Sequence, residues 1–136
     1  VRSCLRLPAA IRDQIITHAR NQVPLECCGI LAGVGESVSE VFEIENELRS
    51  PVRFRMNPAG QWAAMQAIFP EREMTAIYHS HPDGPPHPSP TDLAEHNYPE
   101  SAVVILSRNA SGAWNLHAYE IMDGQAHAIP VMIEPA

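Results

Sequence analysis

The sequence predicts an α/β (α+β) chain in which a mixed central β-sheet is flanked by helices. "ECCGILAGV" and "SAVVILS" are continuous apolar runs of strand length, the pattern of strands buried on both faces. Between Pro8 and Gln22, apolar residues recur instead at helical spacing. A chain of 136 residues has the length of one domain, able to bury roughly two-thirds of its unfolded surface. Strands and helices are therefore expected to share one core, in a single domain over residues 1–136.

Taken in order, "SCLRL" alternates apolar and polar residues as a short strand does, and Pro8 suits the first turn of a helix. Ile11, Ile15, Ile16 and Ala19 then fall on one helix face, with Arg12, Asp13 and Arg20 elsewhere. The buried strand "ECCGILAGV" follows a turn at Pro24. "SVSEVFEIEN" and "VRFRMN" alternate as strands with one wet face. In "NPAGQWAAMQAIFPE", Asn57 can cap a helix and Pro58 can occupy its first turn, while Trp62, Met65 and Phe69 form an apolar stripe. "MTAIYHSH" is a strand ended by Pro82, a proline-rich loop leads to a short helix beginning near Ser89, and "SAVVILS" returns to the core. The remainder reads as a hairpin turning at Asp123-Gly124.

Sixteen acidic against nine basic residues give a net charge of −7, which opposes a sequence-independent hold on nucleic acid or on an anionic membrane. Cys4, Cys27 and Cys28 form neither a CxxC pair nor a spaced disulfide framework, so a reducing, cytoplasmic setting is expected. No apolar run approaches the ~18 residues of a membrane span, and no leader pattern opens the chain, which begins at Val1.

The chemistry concentrates in "YHSHPDGPPHPSPTDLAEH". His79 and His81 stand two apart on a strand, so both side chains leave one face and can converge. Imidazole is the commonest ligand of zinc and similar ions, although an isolated HxH also describes two surface histidines. Ten residues separate His81 from Asp92, and Pro82, Pro85, Pro86, Pro88 and Pro90 stiffen the loop between them. Asp92 would complete a His, His, Asp set, which leaves a tetrahedral zinc one position for water. "SPTD" is equally a capping box, with Ser89 as cap and Asp92 as return member; one carboxylate oxygen can serve the helix while the other binds metal. Glu26, at the turn into a buried strand, is the candidate base, with an exposed turn glutamate as the plainer alternative. Cys27 and Cys28 read as buried small hydrophobes. His87 lies in the loop and is a further candidate for the cleft, whereas His18, His96, His117 and His127 read as surface or hairpin residues. "PPHP" also fits a polyproline ligand.

Glu26 followed by His79-Ser80-His81-Pro82 and then by Ser89 and Asp92 resembles the JAMM signature of the MPN-plus metalloproteases, a distant Glu with HxHPx6SxxD. Every position of that motif is filled, and the order of elements agrees over nearly the whole chain. The resemblance implies an MPN (cytidine-deaminase-like) core of the stand-alone prokaryotic type. It implies one zinc per chain held by His79, His81 and Asp92, with Glu26 as general acid and base and Ser89 supporting the oxyanion. The reaction implied is hydrolysis of the amide bond after the C-terminal Gly-Gly of a ubiquitin-like protein, here a sulfur carrier whose extended tail pairs with a strand edge beside the cleft. The chain has no lysine, which suits a handler of such tags and equally fits biased coding.

A cupin-like iron oxygenase also uses HxH, but it would want a nearby Glu and an all-β chain. An amidohydrolase barrel needs roughly 250 residues. The remaining alternative is a non-catalytic MPN-type scaffold that binds a ubiquitin-like partner.

Overall fold

A computed structural model describes residues 2–135 of the chain. Strand β1 (Leu5–Pro8) leads directly into helix α1 (Ala9–Gln22), and β2 (Cys28–Val34) and β3 (Ser37–Ile44) form a hairpin. After α2 (Pro58–Ile68) and β4 (Glu73–His81) come the short α3 (Pro90–Glu95) and β5 (Ala102–Arg108). Three strands close the chain: β6 (Trp114–Met122), β7 (Gln125–Ile129) and β8 (Val131–Glu134). All eight strands join in one sheet ordered β7-β6-β5-β4-β2-β3-β1-β8. It is mixed, with β4–β5, β1–β3 and β1–β8 parallel and the other pairs antiparallel. The fold class is therefore the expected one.

Alternation along the central strands divides the core in two. Cys27, Leu31, Ala76 and Tyr78 pack with Leu5, Leu7 and the buried face of α1, Ile11, Ile15 and Ala19. Cys28, Ile30, Ala32, Met74 and Ile77 pack with Ala64 and Ile68 of α2. Burial on both faces explains why β2 and β5 read as unbroken apolar runs. Gly29 lets Tyr78 cross β2, since a Cβ there would lie 2.4 Å from the Tyr78 ring.

Three expectations about the elements need correction. Trp62 and Phe69 are 65% and 47% exposed, and of the expected stripe only Met65 packs, partly buried, against the core. The helix instead lays Gly60, Ala64 and Ile68 on the sheet, and a Cβ at Gly60 would come within 3.2 Å of Ile44. Small residues permit that close seating. "VRFRMN" is not a strand; its one ladder contact is an isolated bridge between Asn46 and Met56, because side-chain hydrogen bonds take up its backbone. The final hairpin is real, with Asp123 (φ 53°) and Gly124 (φ 73°) both in the left-handed region that such a turn needs. Beyond it, however, β8 crosses to the far edge and pairs with β1 from Leu5↔Val131 to Pro8↔Glu134. Among the described residues no helix is long and apolar enough to cross a membrane.

Candidate metal centre

His79 and His81 share the α2 face of β4 with Ile77, at the strand's C-terminal end. The antiparallel register pairs Cys28 with His79, and its continuation brings Glu26 opposite His81 on that face. Asp92 reaches the same place from the first turn of α3. The Nε2 atoms of His79 and His81 lie 3.1 Å apart, and Asp92 Oδ2 is 3.1 Å from the first and 3.0 Å from the second. Ligand atoms of Glu26, His79 and His81 all fall within 4.8 Å of one another, a spacing that can hold a metal ion.

The helix-start reading of "SPTD" holds at the same time. Ser89 Oγ accepts from the Asp92 N–H at 3.0 Å and Ser89 N–H donates to Asp92 Oδ2 at 2.9 Å, a complete capping box. Division of labour between the two carboxylate oxygens is not observed: Oδ2 both receives the Ser89 N–H and faces the imidazoles. The Ser89 hydroxyl uses an acceptor lone pair in the cap, which leaves its O–H free to donate.

Two buried carboxyls here are driven in opposite directions. Glu26 is 3% exposed, its Oε1 has no hydrogen-bond partner, and burial pushes its pKa up to about 8. Burial also opposes ionisation of Asp92, but hydrogen bonds with both imidazoles and with the Ser89 N–H hold its carboxyl well below the usual range. His79 is lowered by burial. Burial works the same way on His81, yet its bonds to Asp92 and to the Pro85 carbonyl raise it overall. That second bond, 2.7 Å from Nδ1, turns Nε2 of His81 toward the other two groups.

This donor set fits a divalent cation. Nitrogen and oxygen ligands at about 2.0–2.1 Å in tetrahedral array stand about 3.3 Å apart, and the three edges observed are 3.0–3.1 Å. The orphaned Glu26 oxygen supplies a fourth polar group beside them. A cavity of about 310 Å³ opens next to His79 and Asp92, walled on its apolar side by Phe54, Met56, Ile77 and Leu93.

Other sequence candidates stay out of this cluster. Burial pushes the Cys27 thiol up to about 12 and Cys28 higher still, so both are inert packing groups. His87 is exposed, with its own loop's Pro88 carbonyl as ring partner at 3.4 Å. His18 is not a plain surface residue: its Nδ1 lies 2.7 Å from the hydroxyl of the fully buried Tyr78. His96 is half-buried, and its Nε2 is without a partner. The two edges of the sheet are β7 and β8; Ile121 of β6, which lines the cavity, pairs with Ala126 of β7.

Residues without a motif nonetheless shape the site. Phe54 stacks on His79 with ring centroids 4.4 Å apart. Ser80, between the two histidines, points to the α1 side and ties β4 to β2, accepting from Cys27 N–H at 2.8 Å beside Glu26. Tyr119 donates to the Pro86 carbonyl and steadies the proline loop. Asn46 joins Glu26 to the 48–55 loop. Only Ser80 carried a sequence signal, through its place inside the motif.

Residues 8–120 match the family described as prokaryotic homologs of the JAB domain. The chain is 30% identical over 132 residues to a CysO-cysteine peptidase of Mycobacterium tuberculosis, covering 95% of this chain and 90% of the relative. It is 31% identical over 132 residues to a probable TtuB-protein conjugate cleaving protease of Thermus thermophilus, covering 94% and 83%. In structure it resembles DSY2949 of Desulfitobacterium hafniense, with a TM-score of 0.86 at 25% identity over 97% of this chain and 94% of that one. A family match that runs from the start of α1 through β6, with relatives spanning nearly their whole length, makes this chain a member of the prokaryotic JAB-domain family.

Proposed function

We propose that the protein is a zinc metallopeptidase that hydrolyses the amide bond after the C-terminal Gly-Gly of a ubiquitin-like sulfur-carrier protein. The observation that carries this is the convergence of three ligand atoms at 3.0–3.1 Å beside a buried glutamate with an unpartnered oxygen. Relatives named as a CysO-cysteine peptidase and a TtuB-protein conjugate cleaving protease point to the same substrate class. In this reading His79, His81 and Asp92 hold one zinc ion. Asp92 is preferred to Glu26 as the third ligand because it is the nearer carboxyl and the one kept ionised.

Zinc, when bound, supplies Lewis acidity that brings the pKa of a water toward about 7 and polarises the scissile carbonyl. Glu26 takes the proton from the attacking water at its carboxylate and returns it to the departing amine. Water and amide thus become a carboxylic acid and an amine, which leave as carboxylate and ammonium once the acid's proton passes to the amine. A side chain that burial sets near pH 8 exchanges protons close to neutrality. Ser89 directs its free O–H at the oxygen on which negative charge develops. The Pro85 carbonyl and the Ser89 N–H fix His81 and Asp92, so neither has to reorganise during the reaction. Three free thiols, two of them buried, suit a reducing cytoplasm.

The test is to incubate the protein with a sulfur carrier extended past its Gly-Gly and to weigh the products. Cleavage after the second glycine, one zinc per chain by metal analysis and loss of cleavage with a chelator are expected. An intact carrier in the presence of bound zinc would leave the non-catalytic scaffold as the better reading.

A further inference from the structure

Asn46 stands just past the end of β3 and is 8% exposed. Its carboxamide has two donors and two acceptor lone pairs, and all four go to backbone groups. Nδ2 donates to the carbonyls of Glu26 and Arg53, and Oδ1 accepts from the N–H groups of Leu48 and Arg55, each at 3.1 Å. The Glu26 N–H is held by the same segment, donating to the Ser50 carbonyl at 2.9 Å. Both backbone groups of Glu26 are thus tied to residues 46–50. The carboxamide also grips Arg53 and Arg55, and between them Phe54 stacks on His79 at 4.4 Å with the rings 24° apart.

One side chain therefore references two parts of the site to each other: the acid–base glutamate and the aromatic cover of a histidine. Regular strand pairing would not do this, because a ladder joins neighbouring backbones in register and cannot clasp three segments at one point. The Glu26 carboxylate has no hydrogen bond at Oε1 to orient it, so its direction depends on how its backbone is held.

We propose that Asn46 is a positioning residue for the reaction: through the backbone of Glu26 and the Arg53–Arg55 segment, it sets where the Glu26 carboxylate stands relative to the reacting atoms. The inference rests on the function proposed above and assigns no contact between Asn46 and substrate or metal.

The test compares wild type with Asn46→Ala, and with Asn46→Asp, which keeps the shape but turns two donors into an acceptor. The first readout needs no activity. Amide hydrogen exchange at Glu26, Leu48 and Arg55 should quicken about tenfold or more, the equivalent of one lost hydrogen bond, while amides of β4 and β5 stay protected. Zinc affinity, measured with zinc ion against a competing chelator, should change less than about threefold, because His79, His81 and Asp92 are untouched. Turnover of the extended carrier should fall about 100-fold in kcat with KM nearly unchanged, the usual cost of a misplaced catalytic group. Added to Glu26→Gln, the Asn46 change should lower the residual rate no further, since both act through one carboxyl.

Wild-type exchange at those three amides overturns the proposal, as does a kcat within threefold of wild type despite faster exchange. A fall in zinc affinity parallel to the fall in kcat also overturns it, by making Asn46 a general support of the fold. Should Asn46→Ala fail to fold, Asn46→Asp is judged by exchange at Glu26, because its remaining oxygen still accepts from Leu48 and Arg55, and by the same zinc and turnover criteria. A wild-type protein that does not cleave the carrier defeats the proposed function, and the exchange data then decide the role of Asn46 alone.

Discussion

Replacing Glu26 by glutamine preserves the volume and shape of the side chain and removes its ionisation, so its effect on stability can be worked from the site itself. Glu26 is 3% exposed and titrates near 8 in the folded protein, against an ordinary value of 4.5. Between those values the unfolded chain has released the proton while the folded chain keeps it. The folded state therefore binds more protons, and stability falls as pH rises, by up to about 1.4 kcal/mol per pH unit. From pH 5.0 to 7.5 this amounts to about 3 kcal/mol, which the glutamine variant does not lose. Urea denaturation of both proteins after chelation, at several pH values across that interval, reads the difference directly. Subtraction leaves the titration of Glu26 together with its charge coupling to His81 and Asp92. The variant should nearly match wild type at pH 5.0 and be more stable by about 3 kcal/mol at 7.5. Parallel stability curves would refute the claim that a desolvated carboxyl faces the two imidazoles. In the metal-loaded protein the same change should keep zinc and lower turnover about 10²–10⁴-fold. A substitution that strengthens the fold and disables the reaction marks a group held in place at a cost in stability.

Zinc at about 100 times its dissociation constant adds roughly 2.7 kcal/mol, so chelation should lower Tm by about 10 °C, and Asp92→Ala should erase that difference. Ser89→Ala removes the cap of α3 and the free hydroxyl together. It should cost about 1 kcal/mol in denaturation experiments and reduce kcat about 10–100-fold, less than a full oxyanion-hole donor. On α2, Trp62→Gln should change stability by less than about 0.5 kcal/mol, whereas Ile68→Ala, at 1% exposure, should cost about 2–5 kcal/mol. The reverse order would restore Trp62, Met65 and Phe69 as the buried stripe.

The parts of this fold that could be read from sequence are those where local chemistry and the final environment agree. Residues 28–33 and 102–106 are apolar throughout because both of their faces are covered. Asn57-Pro58 and Ser89-Pro90 announce helix starts because the cap and the first-turn proline act within three residues. The failures share a different cause. Trp62, Met65 and the C-cap residue Phe69 of α2 are spaced as regularly as Gly60, Ala64 and Ile68, and periodicity favours the larger residues. Which side faces inward is settled by the distance at which the helix seats on Ile44, a tertiary quantity. "VRFRMN" has strand alternation, but its Arg53 carbonyl and Arg55 N–H are claimed by a side chain seven and nine residues earlier, which no local pattern records.

The site shows the same boundary more sharply. Spacing on a strand brings His79 and His81 to one face, and a capping motif fixes where Asp92 turns, so three of the converging groups follow from rules acting over a dozen residues. Glu26 lies 53 positions before His79, and it meets the histidines only because β2 pairs antiparallel with β4. The contrast between the two carboxyls is further from the sequence still. Both are acids beside apolar strands, and both are withdrawn from water. Asp92 receives an N–H from Ser89 and faces two imidazoles, which outweigh its burial; Glu26 has its backbone fixed and its Oε1 unpartnered, so burial prevails. Opposite protonation behaviour at one centre is what a hydrolase needs from two carboxyls, one permanently anionic and one able to carry a proton. That division arises because β4 and the start of α3 supply Asp92 with hydrogen-bond partners while the Glu26 Oε1 is buried without one, and so depends on tertiary structure rather than on the residue types.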